Sequence, residues 1–351
     1  MSKRRTRRPL LLEAIGESGW LERLGRSLIG RARDVVVGFG DDAACVTLPP
    51  GSRGLLLVTT DLLIEGTHFT WRTATPATLG EKAVAVNVSD IAAMGGRPTA
   101  MVVGLGAPAD FEVARLEVVF RAMQKACRRW GIVLVGGDTV RSERFVLAPT
   151  LLGEFDGPAD RLPLRSRLKE RQFLYVTGTV GDAAAGMELL LARKGATALR
   201  IAEPYRRRLI ERHRRPQPRL AEGQLLAGHF DDLPMIDLSD DLRKSVGLMS
   251  QAGGVGVAVQ LDRLPISTAL WRFCQATGRD AVEMALCGGE DYELLFATAA
   301  ELAVVRGLFR RNGIKTPVEM IGRVEGRAVR WLDKSGRAID FRGRPFEHFS
   351  H

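Results

Sequence analysis

The chain lacks the residues that would place it in several common functional classes. Only four cysteines occur in 351 residues, Cys45, Cys127, Cys274 and Cys287, and no two form a Cys-x-x-Cys pair. Such scattered positions build neither a disulfide framework nor a zinc site, and free cysteines usually end as small buried core residues. No apolar run approaches the roughly 18–20 residues needed to cross a bilayer. The amino terminus opens basic, but Leu10, Leu11 and Leu12 are followed at once by Glu13, which is too short an apolar stretch for a signal peptide. A cytoplasmic protein is expected. Missing too are the GxxxxGK[ST] phosphate loop, a GxGxxG turn opening a helix, and the HExxH zinc motif.

Charge is not evenly spread. The net charge of +10 comes from Lys3, Arg4, Arg5, Arg7 and Arg8 and from the stretch 206–219, which holds seven arginines and one glutamate. The rest of the chain is close to neutral, so no broad basic face for nucleic acid is expected. Residues 1–9 read as a disordered basic tail. The arginines of 206–219 read as a solvated helix face and its exit loop, able to face an anionic ligand.

Hydrophobic residues make up 45% and charged residues 26% of the chain, an ordinary globular balance. The length suits two compact domains at roughly 100–200 residues each. Periodicity predicts helices over 10–24, 78–94, 110–130 (with Asp110 as N-cap), 182–193, 221–227, 240–251, 267–277 and 301–311. Strands are expected over 43–48, 55–60, 101–105, 132–135, 145–152, 173–177, 256–261, 292–298 and 320–324. Gly136-Gly137-Asp138-Thr139 reads as a turn between two of them, and the polar stretch 157–171 reads as the domain boundary. The mixture predicts an α/β protein with α+β layers.

The informative feature is a series of acids beside Gly, Ser or Thr at element ends. Asp41 and Asp42 follow Gly38-Phe39-Gly40, Asp61 follows Thr59-Thr60, and Asp90 follows Asn87 and Ser89 on a helix. Asp138 follows Gly136-Gly137, Asp237 and Asp240 flank Ser239, and Glu290 follows Gly288-Gly289. Carboxylates and hydroxyls are hard oxygen ligands suited to magnesium, which takes one or two carboxylates per ion alongside water and phosphate oxygens. Several acids from distant segments therefore suggest several ions around a polyphosphate. Glycines beside them let backbone N–H groups approach phosphates. Taken alone, spacing supports an α/β protein with a magnesium–phosphate site.

Taken together, the segments resemble the thiamine-monophosphate kinase family, in the superfamily that also holds aminoimidazole ribonucleotide synthetase. The matching blocks run from Gly40-Asp41-Asp42 through Thr59-Thr60-Asp61, Glu65-Gly66-Thr67-His68-Phe69, Lys82 to Gly95, Gly136-Gly137-Asp138-Thr139, Val176 to Asp182, His213 to Arg219, Ile236 to Asp240, and Gly288 to Leu294. They occur in the family's order and cover nearly the whole chain after residue 10.

The resemblance implies a two-domain fold like aminoimidazole ribonucleotide synthetase. It implies an N-terminal α/β domain (10–155) for ATP and magnesium binding and dimerisation, and a C-terminal α/β domain (156–351). It further implies a homodimer whose N-terminal sheets join into a barrel, with ATP between the domains. By position, Asp42, Thr59, Thr60, Asp61, Asp90, Asp138, Asp237 and Asp240 would hold magnesium, with Asp61, Asp90, Asp138 and Asp240 as the catalytic carboxylates. Gly137, Asp138, Arg165 and Ser239 would lie against the nucleotide, and His68, Glu290 and Phe346 against thiamine monophosphate. The activity implied is magnesium-assisted, in-line transfer of the γ-phosphoryl group of ATP to thiamine monophosphate. The alternatives are a ligase-like ATP-dependent relative or a weakened nucleic-acid-binding paralogue. One departure stands out: Ser239-Asp240-Asp241-Leu242 replaces the family's Ser-Asp-Gly-Leu, putting a charged side chain where glycine freedom is expected to matter.

Overall fold

The structure, a computed structural model, describes residues 14–16, 19–20, 22, 34–38, 40–48, 54–193, 195–196 and 200–340. The basic tail, Phe346 and most of the helix expected over 10–24 lie outside the described residues.

Helix α1 (Pro76–Ala93) is the element around which the rest is arranged. Thr75 caps it in a reciprocal capping box with Thr78, and Pro76 sits in its first turn, where a missing N–H costs nothing. Fourteen of its eighteen residues are buried. A helix apolar nearly all round has no solvent face to offer and must be packed from several sides. Accordingly, it contacts strands of both sheets described below. Close packing is secured by glycine: a Cβ on Gly80 would lie 2.2 Å from the Val119 carbonyl oxygen, and one on Gly223 2.0 Å from that of Ala92.

The first sheet contains β1 (Val35–Val37), β2 (Ala44–Thr47), β3 (Leu55–Thr60), β4 (Leu63–Ile64), β5 (Arg97–Ala107), β6 (Val133–Arg141) and β7 (Val146–Phe155). Its order is β1-β2-β3-β7-β5-β6, with β4 also pairing β7. β5 and β6 are parallel, which requires the crossover helix α2 (Val113–Arg129) between them. β7 alternates buried and half-buried residues along its whole length, placing Leu147, Leu151 and Phe155 on its core face.

The second sheet has the order β14-β13-β10-β12-β8-β11-β9. Its strands are β8 (Phe173–Thr177), β9 (Met235–Asp237), β10 (Val257–Gln260), β11 (Leu294–Thr298), β12 (Val318–Val324), β13 (Val329–Leu332) and β14 (Ala338–Ile339). Between them come α3 (Asp182–Leu191), α4 (Glu203–Arg214), α5 (Leu220–His229), α6 (Leu242–Gly253), α7 (Thr268–Thr277), α8 (Ala281–Cys287) and α9 (Leu302–Arg311). One apolar cluster runs from Leu57 and Leu151 through Ile91 of α1 to Tyr175 and Phe296, so both sheets share a core. Among the described residues no helix is long and apolar enough to cross a membrane.

Three expectations need correcting. Gly136-Gly137-Asp138-Thr139 is not a turn but the middle of β6, because Gly137 lets that strand press on β5, where a Cβ would meet the Val103 carbonyl oxygen at 1.9 Å. Asp110 does not cap α2; Glu112 occupies that position without a side-chain cap. The arginines of 206–219 are not a wholly solvated face. Arg212 and Arg219 turn inward onto Glu293, whose side chain is fully buried. Arg219 donates from Nε at 2.6 Å, Arg212 from its terminal nitrogen at 2.7 Å, and Thr177 Oγ1 donates at 2.7 Å. Arg214 donates to the Thr73 carbonyl at 2.8 Å, and Arg215 to Glu81 at 2.6 Å, tying the second half of the chain to the first.

Removing one member of a buried ion group strands the others. Glu293→Ala should therefore destabilise the protein by about 3–5 kcal/mol, read as a lowered midpoint in urea unfolding.

Candidate active site

The acids arrive from four separate elements. β2 and β3 are antiparallel with Ala44 opposite Val58, so Asp42, two residues before Ala44, falls level with the Thr59-Thr60-Asp61 end of β3. Asp90 lies in the last turn of α1, which packs on β3 and on β9. Asp237 ends β9, the edge strand held against β11 by the Leu294–Asp237 register pair.

These placements bring one carboxylate oxygen each from Asp42, Asp90 and Asp237 within 4.8 Å of one another. Asp61 is close enough to repel both Asp90 and Asp237. Thr59 Oγ1 donates to Asp90 Oδ2 at 2.5 Å, and Ser239 Oγ to Asp237 Oδ1 at 3.1 Å. Arg165 donates to Asp42 Oδ1 at 2.5 Å through its terminal nitrogen and to Asp41 Oδ2 at 3.3 Å through its backbone N–H.

Electrostatically the group is strained. Burial first, then neighbouring negative charge, pushes carboxyl groups toward their neutral form. Burial raises Asp61 to about 6. Burial and Asp42 raise both Asp237 and Asp41 to about 7. Asp90 is driven well above the usual carboxylate range by burial and then by Asp61, Asp237 and Asp42. Burial raises Asp42 as well, against the pull of Arg165. Among the described residues, the Oδ2 atoms of Asp42, Asp61 and Asp237 are buried and have no hydrogen-bond partner. Buried polar atoms rarely stay unsatisfied. An all-oxygen, acid-rich donor set with orphaned oxygens fits a hard divalent cation such as magnesium.

The other expected residues fall at several places. Thr60 Oγ1 donates to the Pro149 carbonyl at 3.0 Å and shares a contact with Thr150. Asp240 is half-buried and pairs with Lys244 at 2.8 Å. Asp138 and Gly137 lie on β6, three strands from β3, which is about 14 Å at the usual inter-strand spacing. The exposed Asp138 carboxylate accepts from the Thr139 N–H at 2.8 Å. His68 closes a turn, its Nδ1 accepting from the Ile64 N–H at 3.1 Å. Glu290 Oε1 accepts from Lys82 Nζ at 2.6 Å, and Oε2 stands 3.1 Å from His213 Nδ1.

Sequence reasoning overlooked Asp41 as part of the Arg165 clamp, although its adjacency to Asp42 was a usable signal. It also overlooked the Lys82 and His213 contacts to Glu290, which span 208 residues in the first case and leave no local signature. The glycine freedom expected at position 241 is not needed. Its backbone is extended (φ −76°, ψ 156°), a conformation open to any residue, and its carboxylate caps α6 by accepting from the Lys244 N–H at 2.7 Å.

The fold belongs to a class seen in known proteins. Residues 40–155 match the family described as AIR synthase related protein, N-terminal domain. The thiamine-monophosphate kinase of Aquifex aeolicus (strain VF5) is 33% identical over 338 residues, covering 96% of this chain and 99% of that protein. That of Escherichia coli (strain K12) is 38% identical over 289 residues, covering 82% and 84% respectively. A solved structure described as AaThiL complexed with AMPPCP and TMP is 31% identical and covers 97% of this chain and 99% of its own, with a TM-score of 0.80. The chain belongs to the thiamine-monophosphate kinase family.

The raised carboxyl groups set a pH dependence. The folded protein binds more protons than the unfolded chain between the ordinary carboxylate value of 3.8 and about 7, so stability should fall as pH rises through that window. Magnesium binds only the deprotonated cluster and should restore the loss. Thermal melts from pH 5 to pH 8, with and without magnesium chloride, should show a magnesium-dependent rise in melting temperature that grows with pH.

Proposed function

We propose that this chain transfers the γ-phosphoryl group of ATP in line to thiamine monophosphate, giving thiamine diphosphate and ADP. The observation that carries the reading is the meeting of Asp42, Asp61, Asp90 and Asp237 in one buried space with orphaned oxygens. Family membership supports the same reading, as does likeness over nearly the whole chain to a structure described as holding AMPPCP and TMP.

The attacking group is a phosphate oxygen of thiamine monophosphate, already anionic near neutral pH, so the reaction needs no strong general base. The obstacle is repulsion between two anions. Asp42, Asp61, Asp90 and Asp237, with Thr59, would hold magnesium in this space; Thr60 and Asp240 are proposed at its edge, and Asp138, three strands away on β6, for a separate ion on the phosphates. Bound magnesium supplies positive charge to the phosphoryl oxygens. Thr59 fixes the Asp90 carboxylate by its hydrogen bond, and Arg165 places a guanidinium beside Asp42 where the nucleotide is proposed to lie with Gly137 and Ser239. Charge arranged before the reaction needs no reorganisation during it. Phe346, with His68 and Glu290, is proposed for the thiamine phosphate side.

The reading extends to organisation and location. Residues 10–155 are the proposed nucleotide, magnesium and dimerisation domain, 156–351 the second domain, and the cytoplasm the proposed compartment. β6 is an edge strand whose Val133, Val135 and Val140 are 57–61% exposed. Unpaired apolar edges are normally covered, and a second copy joining its sheet there into a barrel is the proposed cover. The engagement of Arg212, Arg214, Arg215 and Arg219 with groups of this chain leaves Arg207 and Arg208 as the exposed arginines of that stretch, a small basic surface for a nucleic-acid-binding reading.

Purified protein should turn over ATP with thiamine monophosphate and not with free thiamine or aminoimidazole precursors. Turnover with free thiamine alone would overturn the substrate assignment. Asp90→Asn should lower kcat by on the order of a hundredfold or more without lowering the unfolding midpoint. Unchanged turnover would remove Asp90 from the site.

A further inference from the structure

Glu290 is held through its backbone as well as its side chain. Its backbone is left-handed (φ 66°), as is that of Tyr292 (φ 51°), and neither is glycine. Such conformations persist only where surroundings enforce them, and they gather at functional sites. Here the Glu290 N–H donates to the Ser239 carbonyl at 2.9 Å, and the Tyr292 N–H to that of Leu238 at 2.9 Å. The turn is thereby fastened to the loop that carries Asp237 and Ser239, so Glu290 stands beside the acid cluster.

The two carboxylate oxygens of Glu290 have different partners from different halves of the chain. Oε1 accepts from Lys82 Nζ at 2.6 Å; Lys82 lies on α1, two turns before Asp90. Oε2 faces His213 Nδ1 at 3.1 Å, from the last turn of α4. The side chains of Lys82 and His213 are only 8% and 5% exposed, whereas that of Glu290 is 31% exposed. Glu290 is thus the member of the trio that a ligand can reach. Burial alone would raise its pKa, but Lys82 and then His213 overcome this and lower it to about 2.

We propose that Lys82 and His213 are positioning residues that fix the Glu290 carboxylate in one rotamer against the cationic organic part of thiamine monophosphate. The proposal rests on the kinase reading above and adds how the substrate is told apart from other phosphates. Thiamine monophosphate carries a permanently positive thiazolium ring, and an ionised carboxylate is its electrostatic complement. With Lys82 Nζ donating to one oxygen and His213 Nδ1 packed 3.1 Å from the other, the carboxylate is a poor further ligand for a divalent cation. The division of labour is then spatial: Asp42, Asp61, Asp90 and Asp237 serve the phosphates, and Glu290 serves the heterocycle.

Steady-state kinetics on the full-length protein test this. Lys82→Met and His213→Leu should each raise KM for thiamine monophosphate by on the order of tenfold while KM for ATP stays within twofold. Lys82→Arg and His213→Asn, which keep a polar nitrogen near the same place, should recover most of the loss. Adding Lys82→Met to Glu290→Gln should raise KM no further than Glu290→Gln alone. A purely structural role would lower the unfolding midpoint and leave the KM for thiamine monophosphate unchanged, and that result overturns the proposal. Equal rises in both KM values, or fully multiplicative effects of Lys82→Met and Glu290→Gln, overturn it as well. Should Lys82→Met fail to fold, the His213 pair gives the same decision. If the unmodified protein shows no turnover with thiamine monophosphate, the kinase reading itself fails; if it turns over and the variants match it, only the positioning role fails.

Discussion

Like-charge crowding is the constraint that organises this molecule. Asp42, Asp61, Asp90 and Asp237 are drawn into one poorly solvated space, and Arg165 is the cation that reaches Asp42 there. Such an arrangement opposes folding on its own and must be held by packing elsewhere. α1 supplies that packing. It is buried nearly all round, it carries Asp90, and its contacts with both sheets fix the distance between acids from the two halves of the chain.

Around that centre, charged groups are used in two distinct ways. Glu293 with Arg212 and Arg219, and Asp291 accepting from the Gly181 and Ala183 N–H groups at the start of α3, satisfy one another and stay closed to ligands. The acid cluster keeps orphaned oxygens, and Glu290 keeps an accessible face. A closed network contributes a unique arrangement of the second half. An open one retains capacity to bind, because its desolvation cost is relieved only when a ligand arrives. The closed network holds the turn that presents the open one: Asp291 and Glu293 flank Tyr292, immediately after Glu290.

Much of this was readable along the chain. The strand 55–60 and the helix near 78–94 followed from periodicity and from the Gly95 stop, and Asp42, Asp61, Asp90 and Asp237 stood out as acids at element ends. What misled was local vocabulary. Gly136-Gly137 looked like a turn, yet it serves close approach of β6 to β5. An arginine-rich stretch looked solvated, yet its charges are answered by Glu293 and Glu81 from distant positions. Asp241 looked like an intrusion at a glycine site, yet its backbone is ordinary and its side chain is a helix cap.

The class of chemistry was legible along the chain: hard oxygen donors in quantity, no zinc or P-loop motif, and a run of blocks in the order of one kinase family. Element types were legible for the same reason, since hydrophobic period and capping act over a few residues. Folding in three dimensions sets which acids share a space, that Lys82 and His213 meet on Glu290, and that Asp138 stands on an edge strand about 14 Å from β3. Those outcomes depend on sheet order and on what packs around a buried helix. Coulomb energy follows distance in space, and distance along the chain carries almost no information about it.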